Sequence, residues 1–542
     1  MFAGLLLAAA LTYTSPVHYP IELAGNFGEP RPNHFHAGID VKTDRSTGKP
    51  IYALADGFVS KVSVGTHGFG KAVYVRHPDG NTSVYVHLDA FAPQIEAAVK
   101  RYQYAHKVYA ADINFPATMM PVHKGQFIAF SGNTGSSQGP HLHLELHRTQ
   151  TGDLLDPLPY LKNYLTDTTA PAVYSFKAYP VQGEGKFQHS GQPRVFTFDK
   201  GHFSAWGKVG FGLRAMDHMD GVYNSFGVRF IKLYCDGKLL FSADVNGIPQ
   251  SMHRMMNSWG DYAHFMQTRV WFLKSFIEPG NRLPFLRTGG NRGIVNINQQ
   301  RDYHFRYVVS DVFGNQTIKE FIVRGEPEAL EPKRQYTGAE ALLTTRDNCW
   351  QSDGIRLTIP HQLLATNQLI QPEFFGTAQG LSRGIRFTAN NVPLLGWADL
   401  AFKIPNAAEA DPRHFFVAMS APGVPPRYCR SEAKNGWVHG QVRELGMTYH
   451  LASDTEPPTI RAVSRAYDHV LLSVTDGGSG LAGWQATLDG RFVLFEQQKN
   501  PTVLSCDLRK TPMHKLGKAR QLRIMAWDNC GNKNEYITSI NY

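Results

Sequence analysis

Hydrophobic and polar residues alternate along this chain mostly with a period of two, in short runs broken by glycine, asparagine and aspartate. Four short strand-like runs follow one another at 51–54, 58–62, 72–75 and 82–86, with turn signals at Asp56-Gly57, Gly68-Phe69-Gly70 and Asp79-Gly80. This predicts an antiparallel β unit. In His141-Leu142-His143-Leu144-Glu145-Leu146-His147 the alternation is strict. Its polar residues therefore share one face of a strand, and its leucines pack behind them. A helix is predicted from Pro93 to Tyr102, ahead of a Phe115-Pro116 break, in a segment expected to form a wall of a groove. Beyond residue 167 the two-residue period continues, at 228–234 before Asp236-Gly237 and at 484–488 before Asp489-Gly490. The chain is expected to be mainly β.

At 542 residues it is too long for one domain. A phrase that opens at Asp167-Thr168-Thr169-Ala170-Pro171 recurs at Asp454-Thr455-Glu456-Pro457-Pro458. Each opener has a later closing phrase, Asp311-Val312-Phe313-Gly314-Asn315 and Asp528-Asn529-Cys530-Gly531-Asn532. Short strands with regular turns between these marks indicate β-sandwiches, and the phrases resemble those of immunoglobulin-like modules of bacterial surface proteins. The expected division is an N-terminal domain at 15–166, sandwiches at 167–325 and 454–542, and a less regular β domain at 326–453. Residues 1–14 hold an apolar run too short to span a bilayer, which reads as a signal-peptide core. An exported protein, periplasmic or at the cell surface, is expected.

The net charge of +10 favours an anionic partner such as a cell wall or membrane surface. No basic cluster with interleaved aromatics is present, which excludes nucleic acid as the expected partner. The five cysteines, Cys235, Cys349, Cys429, Cys506 and Cys530, lie outside the N-terminal domain and form no Cys-x-x-Cys pair, so they are not expected to bind metal.

The candidate chemistry lies in three pieces: His36-Ala37-Gly38-Ile39-Asp40, Tyr85-Val86-His87-Leu88 and Gly139-Pro140-His141-Leu142-His143. A lone His-x-His means little in a chain with 23 histidines, but three pieces in order with glycine turns between them are specific. Two histidines and an aspartate suffice for a zinc site with an open fourth position, and two further histidines remain for proton transfer. Manganese and iron also suit such donors. Ser131 to Pro140 is rich in glycine and small polar residues, so a peptide backbone can approach closely. It lacks the lysine of a phosphate loop. Glu145 shares the histidine face and is expected to pack rather than to orient a ligand.

These pieces resemble the lysostaphin/LytM-type zinc metallopeptidases, which cut peptide cross-links in bacterial cell walls. Further matching text is Ala55-Asp56-Gly57, Gly68-Phe69-Gly70, Lys124-Gly125-Gln126 and Ser131-Gly132-Asn133-Thr134-Gly135, and the likeness covers roughly the first 165 residues. It implies a compact antiparallel β-sheet domain, zinc held by His36, Asp40 and His143, and His87 with His141 as the catalytic pair. It also implies peptidoglycan peptides as substrate. There is no His-Glu-x-x-His helix, so a glutamate base of the thermolysin kind is not expected. Two rival readings are a catalytically silent regulator of wall hydrolases and a zinc protease acting on secreted proteins.

Overall fold

A computed structural model describes residues 12–541 apart from 334, 378, 390–391, 406–410, 422–423, 467 and 513–518. The apolar run of residues 1–11 lies outside the described residues. Tyr13, ahead of the boundary expected at 15, is buried, and its hydroxyl donates to Asp79 at 2.8 Å.

The N-terminal domain is built on an antiparallel sheet. Its main strands are β1 (Leu23–Gly25), β2 (Ile39–Lys42), β3 (Gly57–Val64), β4 (Lys71–Arg76), β5 (Asn81–Val86), β6 (Ala111–Asn114) and β7 (His141–Arg148), with two short strands paired to β3 and β7. They lie in the order β1-β2-β7-β5-β4-β3-β6, so the histidine-bearing β7 runs between β2 and β5. Leu142, Leu144 and Leu146 are fully buried on one face, as the alternation predicts. The other face is also mostly covered: His143, Glu145 and His147 are buried, and His141 is half-buried.

The single long helix of this domain, α1 (Pro93–His106), buries Ile95, Ala98 and Val99 against its own domain. It does not form the expected groove wall. Its polar side instead meets the last domain: Lys100 pairs with Glu496, Tyr104 packs edge-on against Phe492, and Gln485 donates to the carbonyl of Lys107 at the helix end.

The second domain is dominated by two long strands, β8 (Ala172–Phe187) and β9 (His202–His218). With β10 (Phe230–Cys235), β11 (Asp302–Ser310), β12 (Gln316–Gly325) and shorter strands they make one eleven-stranded sheet. The sheet curls around a phenylalanine cluster in which Phe176 stacks on Phe321 with ring centres 4.4 Å apart. Two five-stranded sheets enclose the next core, around Trp350, Phe387 and Phe402, and two four-stranded sheets enclose the last, around Leu472, Leu488 and Ile524. The recurring opener and closer phrases are hydrogen-bonded to each other in both places. Asn315 donates to the carbonyl of Asp167 at 3.1 Å, and Asn532 to that of Asp454 at 2.9 Å. All five cysteines are free thiols.

The first two domains share one hydrophobic core. Reciprocal side-chain amide bonds reinforce the seam: Asn26 with the backbone of Gly227 (2.7 and 2.9 Å), and Asn257 with Asn33 (2.9 and 3.0 Å).

Candidate metal centre

Asp40 on β2 and His143 on β7 are direct cross-strand partners, so their side chains leave the sheet side by side. His36 reaches the same point from the segment just before β2. This approach requires Gly38, because a Cβ there would lie 2.1 Å from the carbonyl oxygen of Leu144. His87 follows β5 in a left-handed backbone conformation (φ 60°) that a histidine rarely adopts outside constrained sites.

Three ligand atoms converge. His36 Nε2 lies 3.0 Å from Asp40 Oδ1 and 3.0 Å from His143 Nδ1, and His143 Nδ1 lies 2.7 Å from Asp40 Oδ1. The far nitrogen of each imidazole has its own partner. His36 Nδ1 donates to the carbonyl of Asn26 at 2.6 Å, and His143 Nε2 donates to Glu145 at 2.9 Å. Each of these bonds takes the ring's N–H and turns a lone pair toward the centre. Arg31 pairs with the other oxygen of Asp40 at 3.0 Å, which leaves Oδ1 to face the histidines.

Three acceptors therefore meet in a buried place, and either a proton or a cation satisfies them. The donor set of two imidazoles and a carboxylate, with its orienting hydrogen bonds, fits a divalent ion of the zinc type. His36, Asp40 and His143 form a possible metal site.

The electrostatics follow from burial and from these contacts. Burial pushes His36 down to about 4 despite the attraction of Asp40. It also works to lower His143, but the bonds to Asp40 and Glu145 outweigh it and hold that ring up at about 9. Burial would raise Asp40, yet the charge and hydrogen bonds of His36, His141 and His143 keep it far below the usual carboxylate range. Glu145 is likewise held at about 2: burial opposes ionisation, but bonds from His143 and His147 win.

His87 and His141 stand beside the cluster with ring centres 5.0 Å apart. His87 Nδ1 donates to the carbonyl of Thr134 and His141 Nδ1 to that of Gly139, both at 2.8 Å, so each keeps Nε2 for other partners. His141 Nε2 is 3.4 Å from Asp40 Oδ1. Burial, followed by the neighbouring His143 and His141, lowers His87 to about 4.

The five residues open into a cleft of about 1170 Å³ that is also lined by Arg31, Phe69, Gln138 and, from the second domain, Gln250 and His253. The structure thus brings together all five site residues expected from the sequence. It adds Glu145, whose carboxylate orients His143 and takes a bond from His147 at 2.5 Å, against the packing role expected for it. Arg31, His147, His253 and the carbonyls of Asn26, Thr134 and Gly139 were not singled out. The carbonyls carry no sequence signal, because every residue has one. His67, His106 and His123 remain outside the site, and His77 is tied to the carbonyl of Asp56 and to Ser83.

A His–Asp–His cluster on an antiparallel sheet, with two further imidazoles in an open cleft, is a possible metal centre. The chain belongs to peptidase family M23 through this domain: residues 34–110 match the Peptidase family M23 model. Residues 339–454 match the model of a Zu5-like domain.

The chain is 38% identical over 112 residues to an uncharacterized metalloprotease of Haemophilus influenzae, which is 21% of this chain and 18% of that protein. It is 36% identical over 111 residues to the DD-carboxypeptidase/endopeptidase Mpg of Neisseria meningitidis, covering 20% and 19%. It is 30% identical over 116 residues to lipoprotein NlpD of Yersinia enterocolitica, covering 21% and 93%. The chain thus spans less than a fifth of the length of the first two relatives.

Proposed function

We propose that the protein is a zinc-dependent endopeptidase that hydrolyses peptide cross-links of bacterial peptidoglycan outside the cytoplasm. The observation that carries this reading is the convergence of three lone-pair donors whose orientation is set by bonds on their far sides. His36, Asp40 and His143 would hold the ion. Bound zinc supplies a Lewis acid that polarises the scissile carbonyl and makes water nucleophilic near neutral pH.

The chain's own contribution is to position and move protons. His87 stays neutral at physiological pH, because burial and two neighbouring imidazoles disfavour its charge, and it accepts the water's proton at Nε2. His141 Nε2, 3.4 Å from Asp40 Oδ1 at the edge of the cluster, is placed to hydrogen-bond the developing oxyanion and then to hand its proton to the leaving amine. Small residues at 131–140 leave room for an extended peptide backbone. The similarity to a relative named DD-carboxypeptidase/endopeptidase agrees with wall peptides as substrate.

Mass spectrometry of fragments released from purified peptidoglycan tests this reading. New amino termini are expected with the wild type, but not with His36→Ala or after zinc is stripped. Release by none of these, with zinc bound, would move the weight to a silent regulator. Cleavage of secreted proteins alone would indicate a general protease.

A further inference from the structure

A second convergence of buried oxygens lies where the first domain passes into the second. Asp167 opens the second domain, Asp217 lies near the end of β9, and Asp311 follows β11. All three are more than nine-tenths buried, and one carboxylate oxygen from each lies within 4.8 Å of the others.

Most of the cluster is firmly held. Asp311 Oδ1 accepts the backbone N–H groups of Phe313, Gly314 and Asn315 at 2.8, 2.7 and 2.9 Å, and its Oδ2 accepts the Asn315 amide at 2.7 Å. Asp167 Oδ1 accepts the N–H of Thr169 at 3.0 Å. Two oxygens are left over: Asp167 Oδ2 and Asp217 Oδ1 are buried and have no hydrogen-bond partner. The charges that act on Asp167 and Asp217 are those of other aspartates, including Asp311, rather than of lysine or arginine.

Burying like charges together with unpartnered oxygens is costly unless a cation compensates. The donors are all carboxylate oxygens, with no nitrogen or sulfur among them, which is the chemistry of a hard cation. Magnesium keeps most of its waters and demands tight octahedral geometry, whereas calcium takes many carboxylate oxygens in a flexible cage. We propose that Asp167, Asp217 and Asp311 bind a calcium ion that ties the start of the second domain, just after the peptidase domain, to the ends of β9 and β11.

Asp220 strengthens this junction from outside by accepting bonds from Thr168 and Thr169. The last domain repeats the frame with Asp454, Asp476 and Asp528, where Asp528 accepts the N–H of Cys530 and Asn532. There, however, Ser479 N–H reaches Asp454 Oδ2, and Gly478 and Gly480 N–H reach Asp476 Oδ2. The proposal therefore concerns the first cluster alone.

The test uses full-length protein, stripped of metal and re-equilibrated with zinc and calcium. Calcium and zinc are counted by element-specific mass spectrometry, and thermal unfolding is followed with calcium or magnesium. The wild type is expected to hold one calcium more than Asp217→Asn at equal zinc. Its first transition should rise by roughly 5 °C in millimolar calcium but not in magnesium. Asp167→Asn, which keeps the Thr169 and Asn315 contacts, should lose the same ion and serves if Asp217→Asn does not fold. Equal calcium in wild type and variant, or no calcium-dependent shift in the wild type, overturns the proposal and leaves a proton shared among the carboxylates.

Discussion

At the scale of residues, the centre depends on which atom of each imidazole is free, and that is decided one bond away. Glu145 fixes His143 from the side opposite the cluster, and His147 in turn bonds Glu145. Glu145→Gln keeps the shape but removes the charge that makes His143 a better ligand. Zinc affinity is expected to fall roughly 10- to 100-fold, as for other orienting carboxylates, measured by competition with a chromogenic chelator. His87→Ala removes none of the three ligand atoms, so it should retain zinc and lose roughly 10²- to 10⁴-fold in kcat. Equal losses of zinc and kcat in that variant would instead assign His87 a structural role. The side chains of the site were legible in the sequence because their types and spacing are chemically restrictive. Their anchors were not, since Asn26, Thr134 and Gly139 act through carbonyl groups.

At the scale of elements, the centre exists because β2 and β7 lie in one register, with Asp40 opposite His143 and Ile39 opposite Leu144. Gly38→Ala would drive a methyl group into the Leu144 carbonyl, so either the crossing widens or the register slips. A loss of about 2–4 kcal/mol in denaturant unfolding is expected, together with loss of zinc. Gly139→Ala is the control: nothing lies within 4 Å of its added carbon, and both quantities should hold. The alternation in 141–147 announced β7 because leucine and polar residues sort cleanly between its faces. The sixteen- and seventeen-residue strands of the second domain were harder to read. Glycines such as Gly185 and Gly207 carry the ordinary signal of a turn, yet here they let two strands approach, with a Cβ at either falling 2.0 and 2.1 Å from a facing carbonyl. The helix α1 was legible from composition, but its partner was not, because that surface comes from nearly 400 residues further along the chain.

At the scale of the whole molecule, the last domain reaches back to the loop at 131–140 that lines the cleft. Lys499 donates to the carbonyl and side-chain oxygens of Asn133 and to the carbonyl of Ser137, in the loop whose Thr134 and Gly139 carbonyls hold the imidazoles of His87 and His141. Lys499→Ala is therefore expected to lower kcat by ~10-fold through looser positioning, with zinc affinity unchanged. A rise in kcat would mean that the contact restrains the enzyme. The contact is secured by Glu496, which meets both Lys71 and Lys100. Burial works to raise this carboxyl, but the two ammonium groups outweigh it and hold it below its ordinary range. The docked state then binds fewer protons than the undocked one between the two values. Docking by this pair is accordingly complete above the ordinary glutamate value of about 4.3 and is lost as pH falls through the lower, docked value. Limited proteolysis of the junction near Asp454 should accelerate across that acid window in the wild type. Glu496→Gln should be cleaved faster at neutral pH and show a flatter response to acid, because its side chain has no proton to take up. If both proteins accelerate in parallel, the acid response belongs to general unfolding and the Glu496 pair does not govern docking.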